Sequence, residues 1–254
     1  MRRHSIYTCF VVFVLTLGVL WSCQKHLNVK DVISIHAASN TPLADGSTQD
    51  LIYADLPVDA LAAFRGVTFK ASSGLFDNGA DTMSVFANRT DVTVGKITAV
   101  VTWHASLRSG LDTLSASTST VPQQTDYLYL TLAPSTASTI QLTPSTYTVT
   151  NEFGAQVTIS GRLRNSDGGM VSQGVKVQFS DFADGTNSPA GGSFISPVVT
   201  MDTGSIVSTV YFPPQLTDPT TGAYIVIKAT VLDASGNPTG TTVSIRIFVS
   251  PRQN

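Results

Sequence analysis

Residues 174–179 read GVKVQF, and far upstream residues 66–69 read GVTF. Each run opens on a glycine and then alternates apolar with polar residues, the period-2 pattern of a half-buried strand. The likeness extends beyond these runs. Thr90-Asp91 followed by Gly95-Lys96-Ile97 answers Thr200 and Asp202 followed by Gly204-Ser205-Ile206. Residues 97–103 (ITAVVTW) lie over residues 206–212 (IVSTVYF), which sets Trp103 opposite Phe212, and Gly110 leads into a strand as Gly222 does. Self-similarity on this scale says more about architecture than local propensity does, and it predicts one plan used twice.

Working outward, residues 31–133 offer candidate strands at 32–37, 49–54, 66–71, 82–87, 96–103, 111–117 and 127–132. Residues 134–254 offer another set at 140–142, 156–163, 175–179, 193–200, 205–212, 224–232 and 242–249. Each set has the strand count of an immunoglobulin-like sandwich. The expected fold class is therefore all-β, two tandem immunoglobulin-like β-sandwiches, with the Pro, Ser and Thr break at 133–138 (APSTAS) as the linker. The exception is 58–64 (VDALAAF), which follows Pro57 and predicts one or two helical turns.

With these residues in view, the second set resembles a bacterial Ig-like domain of the invasin and intimin type. The matching elements are Asp167-Gly168-Gly169, the run from Gly174 to Phe179, Thr200-Met201-Asp202-Thr203-Gly204, and Gly222 with Ala229-Thr230-Val231. The first set departs from that pattern, because Asp55-Leu56-Pro57 and VDALAAF stand where the Asp-Gly turn would be. The resemblance implies exported, rod-forming modules of surface proteins, some carrying adhesive tips and many acting as spacers. At about 3.3 Å per strand residue, two such modules end to end would reach about 70 Å.

The N-terminus has the build of an export signal: Arg2 and Arg3, then an apolar run at 9–20 (CFVVFVLTLGVL) that falls short of the roughly 20 residues a membrane span needs. It ends in Leu20-Trp21-Ser22-Cys23, which resembles the lipobox of bacterial lipoproteins. That resemblance implies a signal peptide over 1–22, cleavage before Cys23, and acyl chains on Cys23, the membrane being the partner of this anchor. Two or more chains hold stably where one is marginal. An ordinary secretory signal and an uncleaved anchor helix are the competing readings. Gln24 stands where an Asp would favour inner-membrane retention, so the outer membrane is the expected location, and 23–30 forms a tether no longer than about 25 Å.

Without Arg2 and Arg3, the 15 basic residues become 13 against 17 acidic ones, a net charge near −4. That balance argues against nucleic acid, which needs a basic face to displace counterions. Of the two cysteines, Cys9 leaves with the signal and Cys23 carries lipid, so no disulfide is expected and the fold must stand on its hydrophobic cores. Charged residues are only 13% of the chain, so its surface must be rich in Ser, Thr, Asn and Gln.

No nucleophile elbow and no Ser, His and acid set can be assigned, so neither an enzyme nor a cofactor is expected. His26, His36 and His104 lack ligand spacing for zinc, and His104 reads as an exposed loop residue. Asp181, Asp184 and Asn187 (DFADGTN) read as one loop that could offer calcium three oxygens, with Asp77, Asn78 and Asp81 at the equivalent place in the first set. Turn chemistry alone also predicts these residue types. Trp103, Tyr127 and Tyr129 could stack on sugars, but strand parity assigns all three to the core. The expected function is a lipid-anchored spacer or adhesion module that meets a protein or glycan partner through the loops at 181–192 and 213–222. Carbohydrate binding within an outer-membrane glycan uptake system is the alternative, and it would require exposed aromatics.

Overall fold

The period-2 runs do form strands. The computed structural model describes residues 29–252 apart from 92, 93, 121 and 219. The expected signal peptide, the Leu20, Trp21, Ser22 and Cys23 motif and His26 therefore lie outside the described residues. After a short helix α1 (Val29–Val32), the first half holds β1 (Ser34–Ala37), β2 (Leu43–Ala44), β3 (Gln49–Pro57), β4 (Gly66–Ala71), β5 (Leu75–Phe76), β6 (Thr82–Phe86), β7 (Arg89–Asp91), β8 (Lys96–His104), β9 (Gly110–Thr118) and β10 (Thr125–Pro134). The second holds β11 (Thr139–Pro144), β12 (Thr148–Thr150), β13 (Val157–Arg164), β14 (Lys176–Ala183), β15 (Ser193–Phe194), β16 (Val198–Thr200), β17 (Ile206–Phe212), β18 (Ala223–Leu232) and β19 (Pro238–Ser250). The VDALAAF stretch supplies a single 3-10 turn, Ala62–Phe64, with no buried residue. No helix among the described residues is long and apolar enough to cross a membrane.

The repeat read in the sequence recurs in the pairing of the strands. Sheet order β1-β3-β8-β5 returns as β11-β13-β17-β15, and β2-β10-β9-β4-β6 returns as β12-β19-β18-β14-β16. Even the parallel pairs match, β2 on β10 and β12 on β19. Buried side chains fall into two clusters with no shared member. One contains Val67, Phe69, Phe76, Ile97 and Trp103. The other contains Val177, Phe179, Val207, Tyr211 and Ile227.

Trp103 is fully buried on the face it shares with Ile97 and Val101, but its counterpart is Tyr211 and not Phe212. Trp103 pairs with Phe76 across β5 and β8, and Tyr211 pairs with Phe194 across β15 and β17. The one-residue slip originates at Ser205, which follows Gly204 in the turn and holds φ at 58°. An extra residue in a turn flips the facing of everything behind it. Ser205 is held by use of both its oxygens: its carbonyl accepts from Leu163 N at 2.8 Å, and its Oγ accepts from Val171 N at 2.9 Å.

Both large aromatics lie under a glycine two positions before a phenylalanine. A Cβ on Gly74 would stand 2.6 Å from Trp103 Nε1, and one on Gly192 only 2.3 Å from Tyr211 Oη. The polar atom of each of these two rings has a partner, as burial demands. Trp103 Nε1 donates to Ser73 O at 3.1 Å, and Tyr211 Oη donates to Asp181 Oδ2 at 2.9 Å.

The APSTAS break is not an open linker. β10 runs on to Pro134, and Ser135 is buried. Ser135 N donates to Ser172 Oγ at 2.7 Å, and Ser172 N donates to Ser135 O at 2.9 Å. Ser172 Oγ in turn donates to Ala44 O at 2.7 Å, and Gln173 N donates to Leu107 O at 2.8 Å. Because the backbone N–H and carbonyl of Ser135 are both bonded to Ser172, the start of the segment is tied into the second half instead of hanging free.

Gly192→Ala is expected to cost about 1–3 kcal/mol, the scale of overpacking in a filled core. Calorimetry should show a lowered melting temperature with an unchanged strand signature in circular dichroism.

Candidate functional site

The structure divides the residues singled out in the sequence among separate places. Asp181 does not belong to a loop. It sits on β14, nearly buried, and its Oδ2 also accepts from Gly192 N at 2.7 Å. Burial first, then the charge of Asp181 and the bond to it, hold the Tyr211 phenol above its ordinary value and therefore un-ionised. Asp184 lies beyond the strand end, with Arg246 Nη2 3.0 Å from its Oδ1 as an ion pair lacking hydrogen-bond angles. Asn187 is exposed in the turn. Asp181 thus faces the core, and the three side chains expected to converge on calcium have different tasks.

The proposed equivalence with Asp77, Asn78 and Asp81 also shifts. The loop between β14 and β15 corresponds by topology to Ser72, Ser73 and Gly74 between β4 and β5, whereas Asp77 to Asp81 follow β5. Those residues form an ordinary turn, with Asn78 Oδ1 accepting from Ala80 N at 3.1 Å. Asp77 Oδ1 meets His104 Nε2 at 2.8 Å, so His104 is a partnered residue at the end of β8. His36 stacks on Tyr53 at 5.0 Å and lies 3.8 Å from Asp55. Among the described residues no group of three or more His, Cys, Asp or Glu side chains is placed to hold a metal.

Tyr127 and Tyr129 depart from the core assignment. They do share a face of β10, but it is the outer one, and they are 56% and 63% exposed. Parity along a strand says which residues go together and is silent on which side is in. The side is decided by Leu130 and Leu132, which point inward and are buried.

The expected recognition loops at 181–192 and 213–222 lie at the end of the second half away from Ser172 and Gln173. The pairings Ala183 with Ile225 and Ala223 with Val249 place them there, beside the turn between β12 and β13. Asn151 ties this turn to the second loop: Leu216 N donates to Asn151 Oδ1 at 3.0 Å. At the tip of the turn stands Phe153, 97% exposed. Sequence reasoning missed it because Glu152-Phe153-Gly154 has neither periodicity nor repeat. Nearby, an open groove of about 560 Å³ is lined by Asp184, Asn187, Val226, Ser244 and Arg246. A second cleft, about 660 Å³, lies beside the junction of the halves and includes Pro134, Ser172, Val175 and Leu232.

This architecture has solved counterparts. The chain superposes on the Yersinia pseudotuberculosis adhesin InvE with a TM-score of 0.51 and 16% identity, covering 88% of this chain and 60% of that one. It superposes on invasin, described as a bacterial integrin-binding protein, with a TM-score of 0.54 and 14% identity, covering 88% and 40%. The fold is the Ig-like fold of invasin-type proteins. The chain thus spans 60% and 40% of the lengths of these two relatives in fold. No protein-family model matches the chain, and no curated protein matches it in sequence.

The first half carries an acid-sensitive contact. Burial tends to raise the Asp55 carboxyl, but hydrogen bonds from Lys96 at 2.8 Å and Thr98 at 2.7 Å, with the charges of Lys96 and His36, outweigh it and leave the group below its ordinary value. A carboxyl lowered by folding adds stability above the unfolded value, near 3.9, and loses it as pH falls through the lower folded value. The melting temperature should therefore fall on acidification below about pH 4, and the fall should be shallower in Asp55→Asn.

Proposed function

We propose that this chain is a lipid-anchored envelope protein whose two halves act as tandem Ig-like units, 31–133 and 134–254, forming a non-enzymatic adhesion or interaction module. Phe153 carries the reading. Exposing a large aromatic ring at a loop tip costs hydration free energy, and such rings are the residues that anchor interfaces when a partner buries them. The tip stands with the loops at 184–192 and 213–222, at the end of the second unit opposite its junction with the first. A surface presented far from an anchor at Cys23 is the geometry an adhesin or spacer needs. Support for export and anchoring comes from the lipobox resemblance at Leu20, Trp21, Ser22 and Cys23, and Gln24 favours the outer membrane. Adhesin InvE and integrin-binding invasin lend the fold a precedent in attachment.

A second reading, capture of a glycan, is favoured by the exposure of Tyr127 and Tyr129. In that case the lipoprotein would serve an outer-membrane glycan uptake system.

Cys23→Ala should move the protein from the membrane fraction to the soluble fraction and abolish incorporation of labelled palmitate; continued membrane association would refute the lipid anchor. Phe153→Ala should weaken attachment of the mature protein to its target surface by about tenfold, the effect of losing one interface anchor, with no change in melting temperature. Small-angle scattering of the mature protein should give an elongated particle, and a single globule would sink the tandem arrangement.

A further inference from the structure

The outer face of β10 carries two exposed aromatic rings. Tyr127 and Tyr129 stand two residues apart, about 7 Å along the strand, with their rings on one side. Neither phenol is engaged by another described residue. Across β9 they face Ser115 and Thr113, and Ser115 in turn faces Lys70 of β4. Hydroxyl pairs brace the surrounding surface, Ser117 Oγ with Thr125 Oγ1 at 2.8 Å and Thr68 Oγ1 with Ser84 Oγ at 2.9 Å. At the far end of β9, opposite Thr131, Leu111 is 73% exposed.

The repeat shows that the fold does not require these tyrosines. Phe69 faces Ala116 as Phe179 faces Ala229, which aligns β9 with β18 and β10 with β19. In that alignment Tyr127 and Tyr129 correspond to Ser244 and Arg246. The second half builds the same strand pair with no aromatic ring at either position; its own pair, Tyr224 and Phe248 at 4.9 Å, stands where the first half has Leu111 and Thr131.

The composition of the strip selects its ligand. Two exposed rings offer flat apolar faces to the C–H side of a sugar ring, and the flanking Ser and Thr hydroxyls both donate and accept, as sugar hydroxyls do. The strip has no carboxylate and only Lys70 as a cation, so it lacks the basic cluster that an acidic polysaccharide would require. It also lacks the enclosed, desolvated pocket in which protein partners seat their anchors. Resting on the glycan-capture reading above, we infer that the outer face of β10 and β9 binds a neutral oligosaccharide, laid along β10 across Tyr127 and Tyr129.

The test is isothermal titration of the mature protein with neutral hexasaccharides of β-1,4-glucose, α-1,4-glucose and β-1,4-N-acetylglucosamine, with heparin as the acidic probe. At least one neutral probe should bind with a Kd at or below about 1 mM, a normal range for a shallow site. The double variant Tyr127→Ala/Tyr129→Ala should bind at least about tenfold more weakly, and Tyr127→Phe/Tyr129→Phe should stay within about threefold, since stacking survives loss of the hydroxyl. Both variants should keep the parent melting temperature, because the rings lie outside the core. Absence of binding by every neutral probe, binding that survives the double alanine variant, or binding of heparin alone would overturn the inference. None of these outcomes bears on attachment through Phe153, which is read by the Phe153→Ala variant.

Discussion

A bulky aromatic ring sealed beneath a glycine is the contact around which each core is assembled. Trp103 and Tyr211 sit at the same register position, and the chain above each can pass only because Gly74 and Gly192 carry no side chain. Removing a ring of this size from a core costs about 3–5 kcal/mol, a large share of the stability of a small domain. Burial of either ring also demands a partner for its polar atom, and the halves meet that demand differently. Trp103 uses a backbone carbonyl, which leaves the nearby buried Asp112 to bind Ser73 N at 3.1 Å and Ser73 Oγ at 2.6 Å. Tyr211 uses the carboxylate of Asp181 directly, and Asp181 also holds Gly192 N. In both cases a buried carboxylate orders the loop that closes over the ring.

The same logic of satisfied polar groups governs the joint between the halves. Ser135 and Ser172 exchange hydrogen bonds at the point where β10 ends, and Ser172 reaches across to Ala44 O. Hydroxyl groups suit such a place because each can donate and accept at once, so a short segment closes its own hydrogen bonds while bridging two cores. The loops at 184–192 and 213–222 lie at the end of the second half away from this joint.

The surface follows from composition. With few charges available, the outer sheet faces are covered by hydroxyls, and the departures from that covering carry the functional interest. Phe153 departs from it at a loop tip, and Tyr127 with Tyr129 on a flat face. They differ physically: an isolated ring at a tip suits insertion into a partner, whereas paired rings on a sheet suit stacking.

By itself the sequence determined the β class, the strands of five or more residues and the duplication, because period-2 alternation and repeated runs that open on Gly-Val and close on Phe are local signals that survive without knowledge of partners. Strands of two or three residues, such as β2, β5 and β12, were not legible, since they exist only through the neighbour they pair with. Tertiary structure alone decided facing and register. It turned Tyr127 and Tyr129 outward by burying their neighbours, turned Asp181 inward beneath Gly192, and moved the partner of Trp103 by one residue through the left-handed turn at Ser205. Which side of a strand is inside, and which loop residue is left in water, depend on contacts between segments far apart in the chain, and no local pattern contains them.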